Sequence, residues 1–202
     1  MNTAEYPAEQ ASTRIIQACV SAAWKDVCEN LNRCHSNQFA SSAWVSALGQ
    51  ELTAHYAGSE ANIHVFYRGN PKNHKSFRLQ EYLYDITVLK AAKVTSPRGK
   101  VLEYPIETLW HIESEFNASD TRATVIDFGK LQMSAAENLL LILPAGGTIE
   151  QWATQSLPGM VRPSGGNFHV CFVPHPGQWN QSFGFQPIVK RLSLARSSML
   201  SV

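Results

Sequence analysis

The chain has 202 residues, of which 44% are hydrophobic and 16% are charged, as expected of a globular protein with one sizeable core. Its net charge of +1 excludes a general positive field, so any attraction for nucleic acid must come from a local patch. The four cysteines form no CxxC pair, which argues against a zinc site or disulfide scaffold. Residues 1–10 lack a signal-peptide pattern, and no apolar run reaches membrane-span length. We therefore expect a cytoplasmic protein with reduced thiols.

Apolar periodicity predicts helices and strands that alternate through most of the chain. Residues 1–10 are expected to form a loose tail, and 11–202 a single α/β domain with a core at roughly 40–175. Helical spacing predicts helices over 12–31, 41–57, 121–136 and 149–156. Alternating or continuous apolar runs predict strands over 63–68, 82–89, 108–116, 138–143, 168–173 and 188–194. Three successive strands and then a strand–helix–strand step predict a mixed central β-sheet flanked by helices.

Acidic residues lie within two of the predicted strands. Asp85 falls in the middle of the second strand, and Glu113 and Glu115 share one face of the third with His111. Asp is depleted in strands, and half-buried carboxylates are costly unless a partner neutralises them. If the two strands pair, three carboxylates converge, and Mg²⁺ or Mn²⁺ would satisfy them. A metal bound there could activate water for phosphodiester hydrolysis.

This order of elements and acids resembles the PD-(D/E)xK (restriction endonuclease-like) nuclease superfamily over about half of the chain. The resemblance implies an α-β-β-β-α-β core in which Asp85 and Glu113 bind the metal. Glu51, on the preceding helix, matches an additional acid that many members carry. Glu115 stands where the family usually has its lysine, as in E-x-E variants, and would act as a general base or metal ligand. Lys130, in the following helix, could supply the missing cation.

Basic residues flank the second predicted strand and are expected to lie beside the acids. They are Lys72, Lys75, Arg78, Lys90, Lys93, Arg98 and Lys100. Cations in such loops hold a phosphodiester backbone while a metal does the chemistry, so the substrate is expected to be nucleic acid, with DNA favoured. Scattered solvated charge is the alternative interpretation.

The acidic residues also fit simpler structural roles. Asp85 could pair with a basic side chain at a strand edge, and Glu113 and Glu115 could face solvent in ordinary alternation. Glu51 and Lys130 could be surface residues of helices. The leading hypothesis is a Mg²⁺-dependent nuclease. The rivals are an inactive module of the same fold that binds nucleic acid or a protein partner, as a homodimer or in a larger assembly, and a two-carboxylate enzyme of sugar chemistry.

Overall fold

Two helices precede a run of strands and helices. The computed structural model describes residues 6–30, 36–59, 61–71, 77–79, 81–117, 119–162 and 166–192. The elements are α1 (Tyr6–Glu29), α2 (Asn37–Tyr56), β1 (Ile63–Tyr67), β2 (Ile86–Thr95), β3 (Val101–Ser114), α3 (Thr121–Gln132), β4 (Asn138–Pro144), α4 (Gly147–Met160), β5 (Asn167–Val173), a 3-10 helix (Pro176–Gln181) and β6 (Ile188–Arg191). Within the described ranges, no helix combines the length and the apolar character needed to cross a membrane.

The six strands form one open sheet in the order β1-β2-β3-β4-β5-β6. β1, β2 and β3 are antiparallel neighbours, whereas β3, β4 and β5 run parallel and β6 returns antiparallel to β5. α3 and α4 connect the parallel strands. The predicted meander, the parallel crossover and the mixed α/β sheet flanked by helices are confirmed.

Two helices cover each face of the sheet. α1 and α2 pack on the face that includes Ile112 and Leu140, and α3 and α4 pack on the face that includes Leu141. β4 is buried along its whole length, which explains its continuous apolar sequence. Val20 of α1 and Val189 of β6 also belong to this core, so the buried part of the protein extends beyond the expected 40–175.

Two predicted segments differ from the structure. Helix α1 begins at Tyr6, so residues 6–10 are helical rather than part of a loose tail. The stretch 90–104, which lies between two predicted strands, is mostly a long β2–β3 hairpin that turns at Gly99, with a φ of 76°. Its outer half carries charged residues opposite each other, such as Lys93 and Glu103. The prediction failed because exposed side chains do not give the apolar alternation of a half-buried strand.

Helix α2 lies very close to β1 at Gly49. A Cβ atom on Gly49 would overlap the aromatic ring of Tyr67, which is 6% exposed and cannot swing away. The glycine therefore sets the distance between α2 and the sheet, and with it the position of the N-terminal turns of α2.

We expect Gly49→Ala to lower the free energy of unfolding by about 1–3 kcal/mol, because overpacking a dense core forces neighbours to shift. Gly129→Ala is the matched control, since a Cβ on Gly129 in α3 meets nothing within 4 Å. The control should be neutral or stabilising by up to about 1 kcal/mol, from helix propensity. Urea unfolding measures both. Equal effects of the two substitutions would contradict the close approach.

Candidate active site at the carboxyl edge of the sheet

The carboxyl ends of β3, β4 and β5 meet at one edge of the sheet, which is where α/β proteins commonly bind ligands. Asp85 directly precedes β2 and reaches the same edge, because β2 is antiparallel to β3. Its Oδ2 accepts the backbone N–H of Ser114, the last residue of β3, at 2.9 Å. The prediction that Asp85 lies within a strand was wrong. The strand pairing begins one residue later, at Ile86 and Ile112, so the carboxylate replaces a carbonyl as the partner of Ser114.

Glu113, the penultimate residue of β3, lies beside helix α3. Its side chain is 5% exposed, and its Oε1 lies 2.6 Å from Nζ of Lys130. The same ammonium donates to Oδ1 of Asp127 at 2.9 Å. Residues three apart on a helix are neighbours on its surface, so α3 presents Asp127 and Lys130 together. The structure thus brings Lys130 to Glu113, and it adds Asp127, which the sequence prediction missed although the spacing to Lys130 was visible.

One cleft contains three of the predicted site residues, namely Asp85, Glu113 and Lys130. Its volume is about 260 Å³, and Glu81, Leu83 and Tyr84 complete the wall. Leu83 is 79% exposed and has a φ of 69°, a left-handed conformation that costs a residue with a side chain about 1 kcal/mol or more. Strain of this kind persists where surrounding contacts hold it, and it is often found beside functional residues.

The contacts of Tyr84 hold the segment before β2 in place. Its ring stacks on His111, with centroids 3.8 Å apart, and its hydroxyl donates to the backbone oxygen of Lys130 at 3.2 Å. His111 Nδ1 lies 2.6 Å from the hydroxyl of Ser134. Burial lowers the pKa of His111 to about 4, so the ring is neutral at pH 7. His111 therefore positions Tyr84, and through it the adjacent Asp85.

The pKa values of Asp85 and Glu113 are raised, with burial as the largest cause. The pKa of Glu113 rises to about 7, because burial and the charge of Asp85 outweigh the opposing effect of Lys130. The pKa of Asp85 also rises through burial, opposed by the Ser114 N–H. Burial acts to lower the pKa of Lys130, but its contacts with Glu113 and Asp127 raise it above the usual value. An additional cation in the cleft would favour the charged forms of Asp85 and Glu113.

Glu113→Gln should remove a pH dependence of stability. The pKa of Glu113 is about 7 in the folded protein against an ordinary 4.5, so between these values the folded state binds more protons and stability falls as pH rises. We expect the wild type to lose up to about 3 kcal/mol relative to Glu113→Gln across this window. Urea unfolding of both proteins from about pH 4.5 to 8 measures the difference. Parallel stability curves would contradict the raised pKa.

Two of the predicted acids do not join this cleft. β3 ends at Ser114, and Oε1 of Glu115 accepts the N–H of Asn117 at 2.6 Å, so Glu115 is held in its own turn. Glu51 lies near the far end of α2, about 20 Å along the helix from its start, where its charge adds to burial in raising the pKa of Cys19. The described ranges contain no group of three or more His, Cys, Asp or Glu side chains arranged to hold a metal. The expected convergence of the acids is limited to Asp85 and Glu113.

The described basic residues that flank the second predicted strand do not line this cleft. The β2–β3 hairpin carries Lys93, Arg98 and Lys100. Strand β2 has 10 residues, and a strand rises about 3.3 Å per residue, so the tip of the hairpin is about 30 Å from Asp85. Lys90 pairs with Glu107 at 2.6 Å. Arg78 is exposed and is not among the residues that line the cleft. Lys72 and Lys75 lie outside the described residues.

Comparisons of the chain with protein family models, curated proteins and solved structures found no match. The interpretation of the site therefore rests on the chemistry of its own residues. An aspartate, a buried glutamate and a lysine share an open cleft, with a second aspartate that holds the lysine in place.

Proposed function

We propose that the chain is a restriction endonuclease-like nuclease that hydrolyses phosphodiester bonds of nucleic acid with Mg²⁺ or Mn²⁺. The observation that carries the proposal is the single cleft containing Asp85, Glu113 and Lys130. These are the residue types of the PD-(D/E)xK motif, with the lysine supplied by α3 instead of position 115. A cytoplasmic location is consistent with Cys19 and Cys171, which are free buried thiols.

The two carboxylates fit a hydrated divalent ion. Mg²⁺ is commonly held by one or two carboxylates and keeps several waters, so a third acidic side chain is not required. Ser114 uses one oxygen of Asp85, and Glu113 lines the same cleft with a pKa that burial raises to about 7, which a bound cation would lower again. A bound metal would supply Lewis acidity and lower the pKa of an attacking water.

The remaining residues around the cleft would supply positive charge or hold other side chains in position. Lys130 is protonated at neutral pH, and its ammonium would balance negative charge that develops on the phosphoryl oxygens. Asp127 directs that ammonium towards Glu113 through its 2.9 Å hydrogen bond. Tyr84 and His111 keep Asp85 at the end of β3, so they are positioning residues.

A second candidate is an inactive module that binds nucleic acid or a protein partner. Its support is the short ion pair between Lys130 and Glu113, which already supplies one cation, together with the lack of a third carboxylate ligand in the described ranges. In that case the Asp85 cleft would be a relic of the fold and would take up no metal.

Cleavage and metal binding distinguish the two candidates. The purified chain is incubated with labelled single- and double-stranded DNA and RNA in Mg²⁺, Mn²⁺ or EDTA, and calorimetry measures uptake of each metal. We expect metal-dependent cleavage and no cleavage in EDTA. An intact fold that takes up no metal favours the inactive module. Cleavage that survives both Asp85→Ala and Glu113→Ala contradicts the proposed mechanism.

A further inference from the structure

A second cleft adjoins the candidate active site at Asp85. It has a volume of about 510 Å³ and lies between the first turns of α2 and the ends of β1 and β3, which is within the usual size range of ligand sites. Phe39, Arg68, Asp85 and Ser114 are among the residues that line it. Because Asp85 borders both clefts, a chain molecule in the larger cleft would lead directly into the smaller one.

Arg68 brings an available guanidinium to this cleft. It is exposed and forms no ion pair with an acidic residue in the described part of the chain. It directly follows β1 in a tight turn, in which Gly69 has a φ of 93° and the buried Asn70 donates to the backbone oxygen of Val65 at 2.8 Å. The turn fixes the backbone from which Arg68 extends. A guanidinium held in this way suits the two oxygens of a phosphodiester.

Phe39 gives the same polar cleft an exposed aromatic surface. The side chain is 57% exposed and lies in the first turn of α2. The hydroxyl of Ser36 accepts a hydrogen bond from the backbone N–H of Phe39 at 3.2 Å. This cap fixes the backbone that carries the ring. An exposed ring near an arginine is the usual arrangement for stacking an unpaired nucleobase.

Ser114 gives a third, independent indication of a ligand. Its N–H is bonded to Asp85, but its hydroxyl oxygen is buried and has no hydrogen-bond partner among the described residues. A buried hydroxyl without a partner is costly, and a phosphate oxygen entering the cleft would accept a hydrogen bond from it. Ser114 lines the larger cleft and is bonded to Asp85, which borders both clefts.

We propose that the larger cleft binds single-stranded nucleic acid, with one unpaired base stacked on Phe39 and its phosphate bound by Arg68. This inference rests on the proposed function, because it assumes that the strand continues past Ser114 to a scissile phosphate at Asp85. Single strands are favoured over duplex because paired bases are already stacked on each other and do not offer a face to an aromatic ring. Glu81 and Asp85 also line the cleft, so we expect one phosphate contact, at Arg68, rather than a long electrostatic footprint.

Fluorescence anisotropy in EDTA tests the inference without cleavage. Labelled oligothymidylate, oligouridylate and a DNA duplex of equal length are titrated with the full chain. We expect both single strands to bind at least about tenfold more tightly than the duplex. Phe39→Ala should weaken single-strand binding by roughly 5- to 150-fold, which is the range of one base–aromatic stack, whereas Phe39→Tyr should retain it. Arg68→Ala should weaken binding. It should also reduce the slope of log K against log salt concentration by about one, as expected for the loss of one phosphate contact.

Two exposed residues outside the cleft serve as matched controls. Phe183→Ala removes an exposed ring elsewhere, and Arg98→Ala removes the same charge as Arg68→Ala at the hairpin tip. Neither should change affinity by more than about twofold, as for surface substitutions away from a site. Circular dichroism checks that every variant is folded.

The two proposals can fail separately. Binding that depends on Phe39 and Arg68, without cleavage in Mg²⁺ or Mn²⁺, would support the cleft and contradict the nuclease. Cleavage by a chain that binds duplex equally well, or that is unaffected by Phe39→Ala, would overturn the single-strand inference alone. The absence of any binding to the three probes would overturn it as well.

Discussion

Asp85→Asn is expected to lower metal-dependent cleavage by about 100-fold or more while leaving the free energy of unfolding almost unchanged. The substitution removes the negative charge that would bind a divalent ion, and metal assistance contributes several kcal/mol to the transition state, at about 1.4 kcal/mol for each tenfold in rate. The amide oxygen of Asn can still accept the N–H of Ser114, which Asp85 accepts at 2.9 Å. Initial rates at saturating Mg²⁺ and urea unfolding measure the two effects.

Glu115→Gln is the matched control for Asp85→Asn. It removes one negative charge at the same edge of the sheet and keeps an oxygen for the N–H of Asn117, but Glu115 does not line the cleft of Asp85. We expect cleavage within about twofold of the wild type, as for substitutions away from the site. If Glu115→Gln abolished cleavage as Asp85→Asn does, the E-x-E interpretation of the third strand would be favoured over the assignment to Lys130.

The sheet could be predicted from the sequence because burial leaves a clear pattern. β4 and β5 lie inside the sheet with helices on both faces, so their sequences are largely apolar, and both were placed to within one residue of their observed ends. The β2–β3 hairpin could not be placed in this way. Its outer half, from about Lys93 to Glu103, has water on both sides, so neither face needs apolar residues.

The start of β2 was the error with most consequence for the site. Tyr82, Leu83 and Tyr84 have strand-like side chains, but Leu83 adopts a left-handed backbone that ends the extended conformation. Nothing in local propensity predicts this, because the contacts that hold it are tertiary: the stacking of Tyr84 on His111 and its bond to α3. Asp85 is therefore a turn residue, although its nearness to Glu113 was anticipated.

The cations were harder to place than the acids. A charge in a loop has no periodicity to fix its position, so Lys93, Arg98 and Lys100 were expected near the acids and lie instead on the hairpin. Arg68 was overlooked because it follows a short strand as a single basic residue. Lys130 and Asp127 could be related to each other through helical spacing, but only the packing of α3 against β3 brings them to Glu113.

Lys130→Met should reduce both activity and stability. Glu113 is 5% exposed on its side chain, and without the ammonium its carboxylate would be buried with no cation nearby. Breaking a fully buried pair costs roughly 3–5 kcal/mol; we expect about 2 kcal/mol here, because the Lys130 side chain is 41% exposed. Removing the pair raises the pKa of Glu113 further above 7, so the loss of stability should be larger at about pH 8 than at about pH 5.

A double-mutant cycle separates the structural role of Lys130 from its role in cleavage. Glu113→Gln makes the buried partner neutral, so adding Lys130→Met in that background should cost less stability than in the wild type, and the difference is the coupling energy of the pair. Lys130→Arg keeps a cation and should retain more cleavage than Lys130→Met. If Lys130 only stabilises the fold, Lys130→Met will cleave at the wild-type rate at about pH 8, where Glu113 of the wild type is mostly ionised and can bind the metal. A loss of about 100-fold at that pH, with the protein folded, assigns the ammonium to the transition state.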